Sequence, residues 1–255
     1  MHPTDSELTT GAETGTGALR LDLARRLVAE ALGTCMLTIA VVGSGIMAGR
    51  LSPDEIGLQL LENAVATAGA LMALILTFGA VSGAHLNPVV SLVDRLLGTM
   101  TTLDAALYAA AQTIGACTGA VLVNLMFQLG AVNLSHKERS SGALWLSEIV
   151  ATVGLLLVIH GCRRTGRSSV VPFAVGAWIG GAYWFTSSTS FANPAATLAR
   201  TLSDTFAGID AASAPMFVAM QGVGALLAFG LIRFLFPADV SKPSDDQHRA
   251  CDALA

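Results

Sequence analysis

The chain has 255 residues, of which 53% are hydrophobic and only 13% charged, with a mean hydropathy of +0.63. A soluble domain carries about a quarter charged residues, so half the expected charge is missing. The net charge of −4 leaves no basic face for nucleic acid. Both facts point to a chain whose solvent is largely lipid.

Residues 1–19 are polar and small, with little to bury, and read as a flexible N-terminal tail. Arg20, Arg25 and Arg26 then lead into an apolar run that continues to about Ala48. That run is too long for the apolar region of a signal peptide, about 7–15 residues, and reads as a retained first span. About 20 apolar residues cross a bilayer. Six segments qualify: 24–48, 60–80, 104–128, 143–161, 169–187 and 213–236. All six are expected to be helices, because backbone groups in lipid must be satisfied within their own segment. Small residues four apart, Gly115 with Gly119 and Gly176 with Gly180, would let neighbouring helices approach closely.

Two shorter apolar segments, 87–98 and 193–204, each open on Asn-Pro. Proline suits the first turn of a helix, where its missing N–H costs nothing. Each segment therefore reads as a half-helix that starts inside the protein. Residues 238–255 read as a second flexible tail. Cys35, Cys117, Cys162 and Cys251 form no C-x-x-C pair and have no histidine at ligand spacing, so no metal, disulfide framework or cofactor is expected.

The chain also repeats itself. Glu30-Ala31-Leu32-Gly33-Thr34 is echoed by Glu148-Ile149-Val150-Ala151-Thr152. Asn87-Pro88-Val89 is echoed by Asn193-Pro194-Ala195, and Gln112-Thr113-Ile114-Gly115-Ala116 by Gln221-Gly222-Val223-Gly224-Ala225. The offsets are 118, 106 and 109, in the same order. Each repeat, about 20–130 and 140–237, holds three spans. An odd number turns the second copy upside down, and inverted repeats place a site near the midplane with broken helices aimed at it. The domain so defined is 20–237. Counting Lys and Arg by side gives ten against four, which predicts both termini in the cytoplasm of a multi-pass plasma-membrane protein.

If the two half-helices enter from opposite faces, their partly positive N-termini meet and repel cations. Asn87 and Asn193 can cap them and still offer an amide to a passing oxygen. The stretches before them, Gly83, Ala84, His85 and Leu86 in the first repeat and Ser188 and Thr189 in the second, are non-helical. Irregular backbone at membrane depth is tolerated only against protein or a wet cavity, so a ladder of carbonyl acceptors is expected there. Glu30 and Glu148, costly inside spans, read as braces that accept loop N–H groups, with a proton relay as the other reading. Gln112 and Gln221 have the same double reading.

The pair of Asn-Pro boxes in matching repeats resembles the major intrinsic proteins, the aquaporins and aquaglyceroporins, over nearly the whole chain. The resemblance implies an all-α membrane protein of six transmembrane helices and two re-entrant half-helices, a passive channel rather than an enzyme, and a homotetramer in the bilayer. It also implies a four-membered selectivity filter, located by spacing from the boxes at Thr67, Gly181, Ser190 and Ala196. Relatives selective for water or glycerol carry Arg where Ala196 stands. Four small uncharged residues would leave a wide opening for small uncharged solutes: glycerol, urea, or arsenous acid, as in the bacterial arsenic-resistance-type aquaglyceroporins that this set resembles. Some water would also pass. Arg200, one helical turn beyond Ala196, either reaches back to the pore mouth or pairs with Asp204. A coupled secondary transporter and a strictly water-selective channel are the alternatives.

Overall fold

The computed structural model describes the backbone of residues 5–237 and the side chains of residues 21–237. It contains eight α-helices in this range: α1 (Asp5–Leu51), α2 (Ile56–Ser82), α3 (Pro88–Leu96), α4 (Thr102–Met126), α5 (Gly142–Arg164), α6 (Val171–Phe185), α7 (Pro194–Ala199) and α8 (Ala214–Leu235). The expected tails lie outside the described residues, except that the backbone of α1 is already helical from Asp5.

Five helices are long and apolar enough to cross a membrane. The sixth expected span is shorter: α6 has 15 residues, roughly 22 Å at 1.5 Å per residue, with one 3-10 turn, Ser168–Val170, before it. It ends early because the chain turns to extended backbone at Thr186 and runs inward as the loop before α7. The half-helices α3 and α7 begin at the two prolines. α7 is short and passes into a 3-10 turn at Arg200–Leu202.

Packing follows the repeat. α1 packs on α2 and α4, and α5 on α6 and α8; α2 against α6 joins the halves, and each half-helix packs on the last helix of both repeats. Two of the close helix approaches use glycines at equivalent positions of the repeats. A Cβ on Gly115 would run into the Ala31 carbonyl, and one on Gly224 would lie 3.0 Å from the Ile149 carbonyl oxygen. Large side chains at these two sites would push the helix pairs apart.

The polarity of the molecule is turned inside out relative to a soluble bundle. Val28, Leu32, Ile56, Ile114, Leu146 and Phe234 are exposed, whereas Glu30, Glu148, Gln112, Gln221, Asn87 and Asn193 are buried. Apolar side chains on the outside suit lipid, and polar groups inside must then find partners among themselves or in an aqueous path.

Candidate functional site: a paired-loop conduit

Each half-helix starts from an extended Asn followed by Pro. The Asn87 Oδ1 accepts from Val89 N at 3.1 Å, and the Asn193 Oδ1 accepts from Ala195 N at 3.0 Å and Ala196 N at 3.2 Å. These bonds satisfy N–H groups that have no partner within the helix. The amide nitrogens then cross between the repeats. Asn87 Nδ2 donates to Ala192 O at 2.8 Å, and Asn193 Nδ2 to Leu86 O at 2.9 Å. The two tips are thus bound together, and each amide keeps a second N–H.

The loops leading to the tips are strained at equivalent positions. Gly83, Ala84 and Leu86 have φ of 86°, 46° and 50°, and Thr189, Ser190 and Ala192 have 63°, 53° and 46°. Left-handed backbone costs a non-glycine residue about 1–2 kcal/mol, so it persists only where surroundings over-determine it. One carboxylate per loop does this. Glu30 accepts from His85 N (2.9 Å), Leu86 N (2.7 Å), Ser82 Oγ (2.6 Å) and Gln112 Nε2 (2.7 Å). Glu148 accepts from Phe191 N (3.0 Å), Ala192 N (2.9 Å), Ser188 Oγ (2.6 Å) and Gln221 Nε2 (2.6 Å). Every position in one set has its repeat mate in the other.

Both tips line one narrow cavity, bounded by Arg163 at one end and Arg200 at the other. One wall is the backbone of the two loops with Asn87 and Asn193. The facing wall is apolar, including Leu155 and Ile159 of α5 and Val171, Val175 and Ile179 of α6.

The structure departs from the sequence expectations at two points and separates the two readings of Arg200 at a third. Gly181 does not line the cavity; it is exposed on the outer side of α6, where its nearest neighbour is Phe185. The residue that faces inward is Tyr183, which continues the four-residue stripe 171, 175, 179. Its hydroxyl meets Thr67 Oγ1 at 3.1 Å. Two residues on a helix is about 200° of rotation, so counting back from Asn193 chose the wrong face. Thr67, Tyr183, Ser190 and Ala196 all line the cavity. Next, Ser188 and Thr189 are absent from the lining, because Ser188 is spent on Glu148; the second stretch of lining starts at Ser190, whereas Gly83, Ala84, His85 and Leu86 all line the first. Finally, Arg200 is not paired with Asp204, which instead accepts from Ser135 Oγ and His136 N. Arg200 is 3% exposed, donates through Nε to the Ala207 carbonyl, lies with its guanidinium carbon 3.3 Å from the Phe191 ring centroid, and lines the cavity. Val89 is buried in the core.

Sequence reasoning missed further residues. At the Arg200 end, the loop 127–141 folds over the turn after α7 through Asn133 N to Leu202 O and Ser135 N to Thr201 O, at 3.0 and 2.9 Å. It brings Arg139 to the other bonding groups there: Nε donates to Gly208 O at 2.9 Å, and the guanidinium lies 5.1 Å from the same Phe191 ring. Burial holds the Arg139 pKa below its ordinary value. At the Arg163 end, Asp94 gathers His85, His160 and Arg163. The signal for Asp94 was its place seven residues after Asn87, as Arg200 is seven after Asn193; the opposite charges hid the match.

Residues 18–190 match the family described as Major intrinsic protein. The chain is 50% identical over 214 residues to an aquaglyceroporin, AqpS, of Rhizobium meliloti (strain 1021), covering 84% of this chain and 91% of that one. It is 29% identical to a probable aquaporin, AqpM, of Archaeoglobus fulgidus, covering 85% and 99%. The solved aquaglyceroporin of Plasmodium falciparum superposes with a TM-score of 0.63 at 20% identity, over 82% of this chain and 95% of its own, and shares the fold. With opposed half-helices bound tip to tip beside one continuous cavity, the chain belongs to the major intrinsic protein family and is a membrane channel for small solutes, not an enzyme.

Proposed function

We propose that this channel passes small uncharged hydroxylated solutes, glycerol, urea or arsenous acid, together with some water. The observation that carries the reading is the two-sided cavity: hydrogen-bonding loop backbone and the Asn87 and Asn193 amides on one wall, an apolar stripe on the other. A solute with a carbon or metalloid centre and several hydroxyls can satisfy both walls at once, whereas water gains nothing from the apolar one. Ala196 in the lining leaves room that an arginine would fill, and the relative AqpS carries the name aquaglyceroporin. Transport is passive: the carboxylates that brace the pore loops, Glu30 and Glu148, have their oxygens committed to loop N–H groups, serines and glutamines. The chain sits in the plasma membrane as a homotetramer with both termini in the cytoplasm, so the Arg163 end faces inward and the Arg200 end outward.

A second reading, a conduit that favours water, draws on Tyr183 and Arg200. Both enter the space that four small residues would have left open. Stopped-flow light scattering on proteoliposomes separates the two. Glycerol, urea and arsenite are each expected to enter well above the bare-lipid rate. Tyr183→Ala should raise glycerol flux about threefold to tenfold, a barrier change of roughly 1 kcal/mol, while Gly181→Ala on the outer face leaves it unchanged. Fast water flux with all three solutes excluded overturns the proposal.

A further inference from the structure

At the end of the cavity away from Arg200, the last turns of α3 and α5 face each other across the opening. Asp94 sits in the last turn of α3, with its side chain 10% exposed. Its Oδ2 accepts from His85 Nε2 at 2.9 Å and from Arg163 Nη1 at 3.1 Å. Because the Asp94 carboxylate can only accept, the His85 proton lies on Nε2, and Nδ1 meets Ser91 Oγ at 2.9 Å. His160 Nδ1 stands 3.8 Å from the other oxygen, too far for a hydrogen bond.

Arg163 differs from its neighbours in this group. It lines the conduit itself and also the wider vestibule outside it, shared with Asp94, Thr101 and Arg164. Its side chain is 31% exposed, and Asp94 is its one hydrogen-bond partner among the described residues. α3 packs on α4, α7 and α8, while α5 packs on α6 and α8. The ion pair therefore joins two elements that otherwise hardly touch, directly across the opening. A guanidinium on a long flexible stem, held aside by one carboxylate next to the passage it lines, can also lie in that passage.

We propose that Arg163 forms a second, specificity-determining constriction at this end of the conduit, and that Asp94 is the positioning residue that draws its guanidinium off the axis. Without the Asp94 charge the arginine loses its anchor and turns into the passage, where it offers donors and a positive charge to every solute. Passage then slows more for glycerol than for water, because the larger solute needs the vacated space. The inference rests on the cavity being the solute path, not on which solute is physiological, so water and glycerol are both read.

The test is a double-mutant cycle in proteoliposomes. Asp94→Asn is expected to lower glycerol flux about threefold to tenfold, the shift that follows when the obstructing rotamer becomes the major one, with a smaller fall for water. Arg163→Ala is expected to conduct glycerol at or above the native rate, and Asp94→Asn combined with Arg163→Ala to match it. Asp94→Glu, which keeps a carboxylate within reach, should retain most of the flux. Native flux in Asp94→Asn, or a double variant as slow as Asp94→Asn alone, overturns the proposal; the second result would assign the loss to His85 or to folding. Should Asp94→Asn fail to assemble, Arg163→Gln in the otherwise native chain decides the matter. Glycerol flux at or above native supports the constriction, and a fall overturns it. Native protein that passes water but no glycerol would sink the hydroxylated-solute reading while leaving the water arm of this cycle intact.

Discussion

The two halves of this channel solve the same structural problem with the same residues and then finish their mouths differently. In both, a buried glutamate holds two loop N–H groups, a serine and a glutamine, and in both an asparagine crosses to the other loop. Two residues before the asparagine and seven after it, the halves diverge. The first carries His85 and Asp94, joined at 2.9 Å; the second carries Phe191 and Arg200, joined by a guanidinium over a ring. Each pair joins the same two repeat positions, yet by a different contact, and one mouth ends in a carboxylate and the other in a cation. Folding constrains the middle of the inverted repeat, where two strained loops must be held against each other. The mouths bear no such load and are free to set selectivity.

The largest effect should come from breaking the shared part. Glu30→Ala and Glu148→Ala each leave two buried loop N–H groups and a serine hydroxyl without their acceptor, at about 1–3 kcal/mol per group, with several left-handed residues no longer held. Against a total stability of about 5–15 kcal/mol, either variant should lose most folded protein, measured as a drop in Tm and in the monodisperse fraction after extraction. The comparison predicts similar losses for the two. A harmless Glu148→Ala beside a ruinous Glu30→Ala would mean that the repeats are not mechanically equivalent.

A second, smaller effect should separate the halves. Arg200→Ala removes a buried cation from the conduit while leaving the bracing intact, so Tm should move little and selectivity should change. At an effective dielectric of about 20, a unit charge about 4 Å from the path is worth about 4 kcal/mol, so cation or proton leak should rise at least about tenfold. Phe191→Leu, which removes a cation–π contact of about 0.5–2 kcal/mol, should give a weaker version of the same leak by loosening Arg200. Cation conductance no higher than native in Arg200→Ala would leave the half-helix tips as the sole barrier and make the Phe191–Arg200 pair purely structural.

The sequence made the duplicated part legible and the mouths much less so. Runs of apolar residues set the helix count, Asn-Pro set where the half-helices begin, and Glu30 with Glu148 stood out because carboxylates inside spans need a reason. Those features depend on composition and on identity between repeats. Tyr183 was hidden because its inward direction depends on the phase of α6, and counting along an irregular loop from Asn193 does not preserve phase. The positive φ of Leu86, Thr189 and Ala192 had no signal at all, since none is a residue that favours such backbone. Asp94 was missed because an echo that reverses charge looks like no echo, and no spacing along the chain could place His160 beside it, since the two lie on different repeats.

The smallest expected effect concerns Lys137, which contributes a third cation to the Arg200 mouth. Its ammonium donates to Phe206 O at 2.8 Å and lies 4.9 Å from the Phe206 ring centroid. Partial burial there, and then the charges of Arg139 and Arg200, lower its pKa to about 8, with Asp204 pulling the other way. An unfolded lysine titrates near 10.4, so between about 8 and 10.4 the folded chain binds fewer protons than the unfolded one. The charged ammonium is therefore a destabilising group, fully so below about pH 8 and progressively less as pH rises towards 10.4. Much of the side chain faces solvent, which screens the effect. Lys137→Met should accordingly raise Tm slightly at pH 7, and the gap from native should shrink as the pH passes from 8 to 10. The same titration should alter the mouth: native cation leak should rise modestly between pH 7 and 9, while the variant, with no ammonium to lose, stays flat. A lower Tm for Lys137→Met than for the native chain at pH 7, with no narrowing between pH 8 and 10, would reverse the sign and show that the Lys137 charge is held favourably, by Asp204, instead of being crowded by the two arginines.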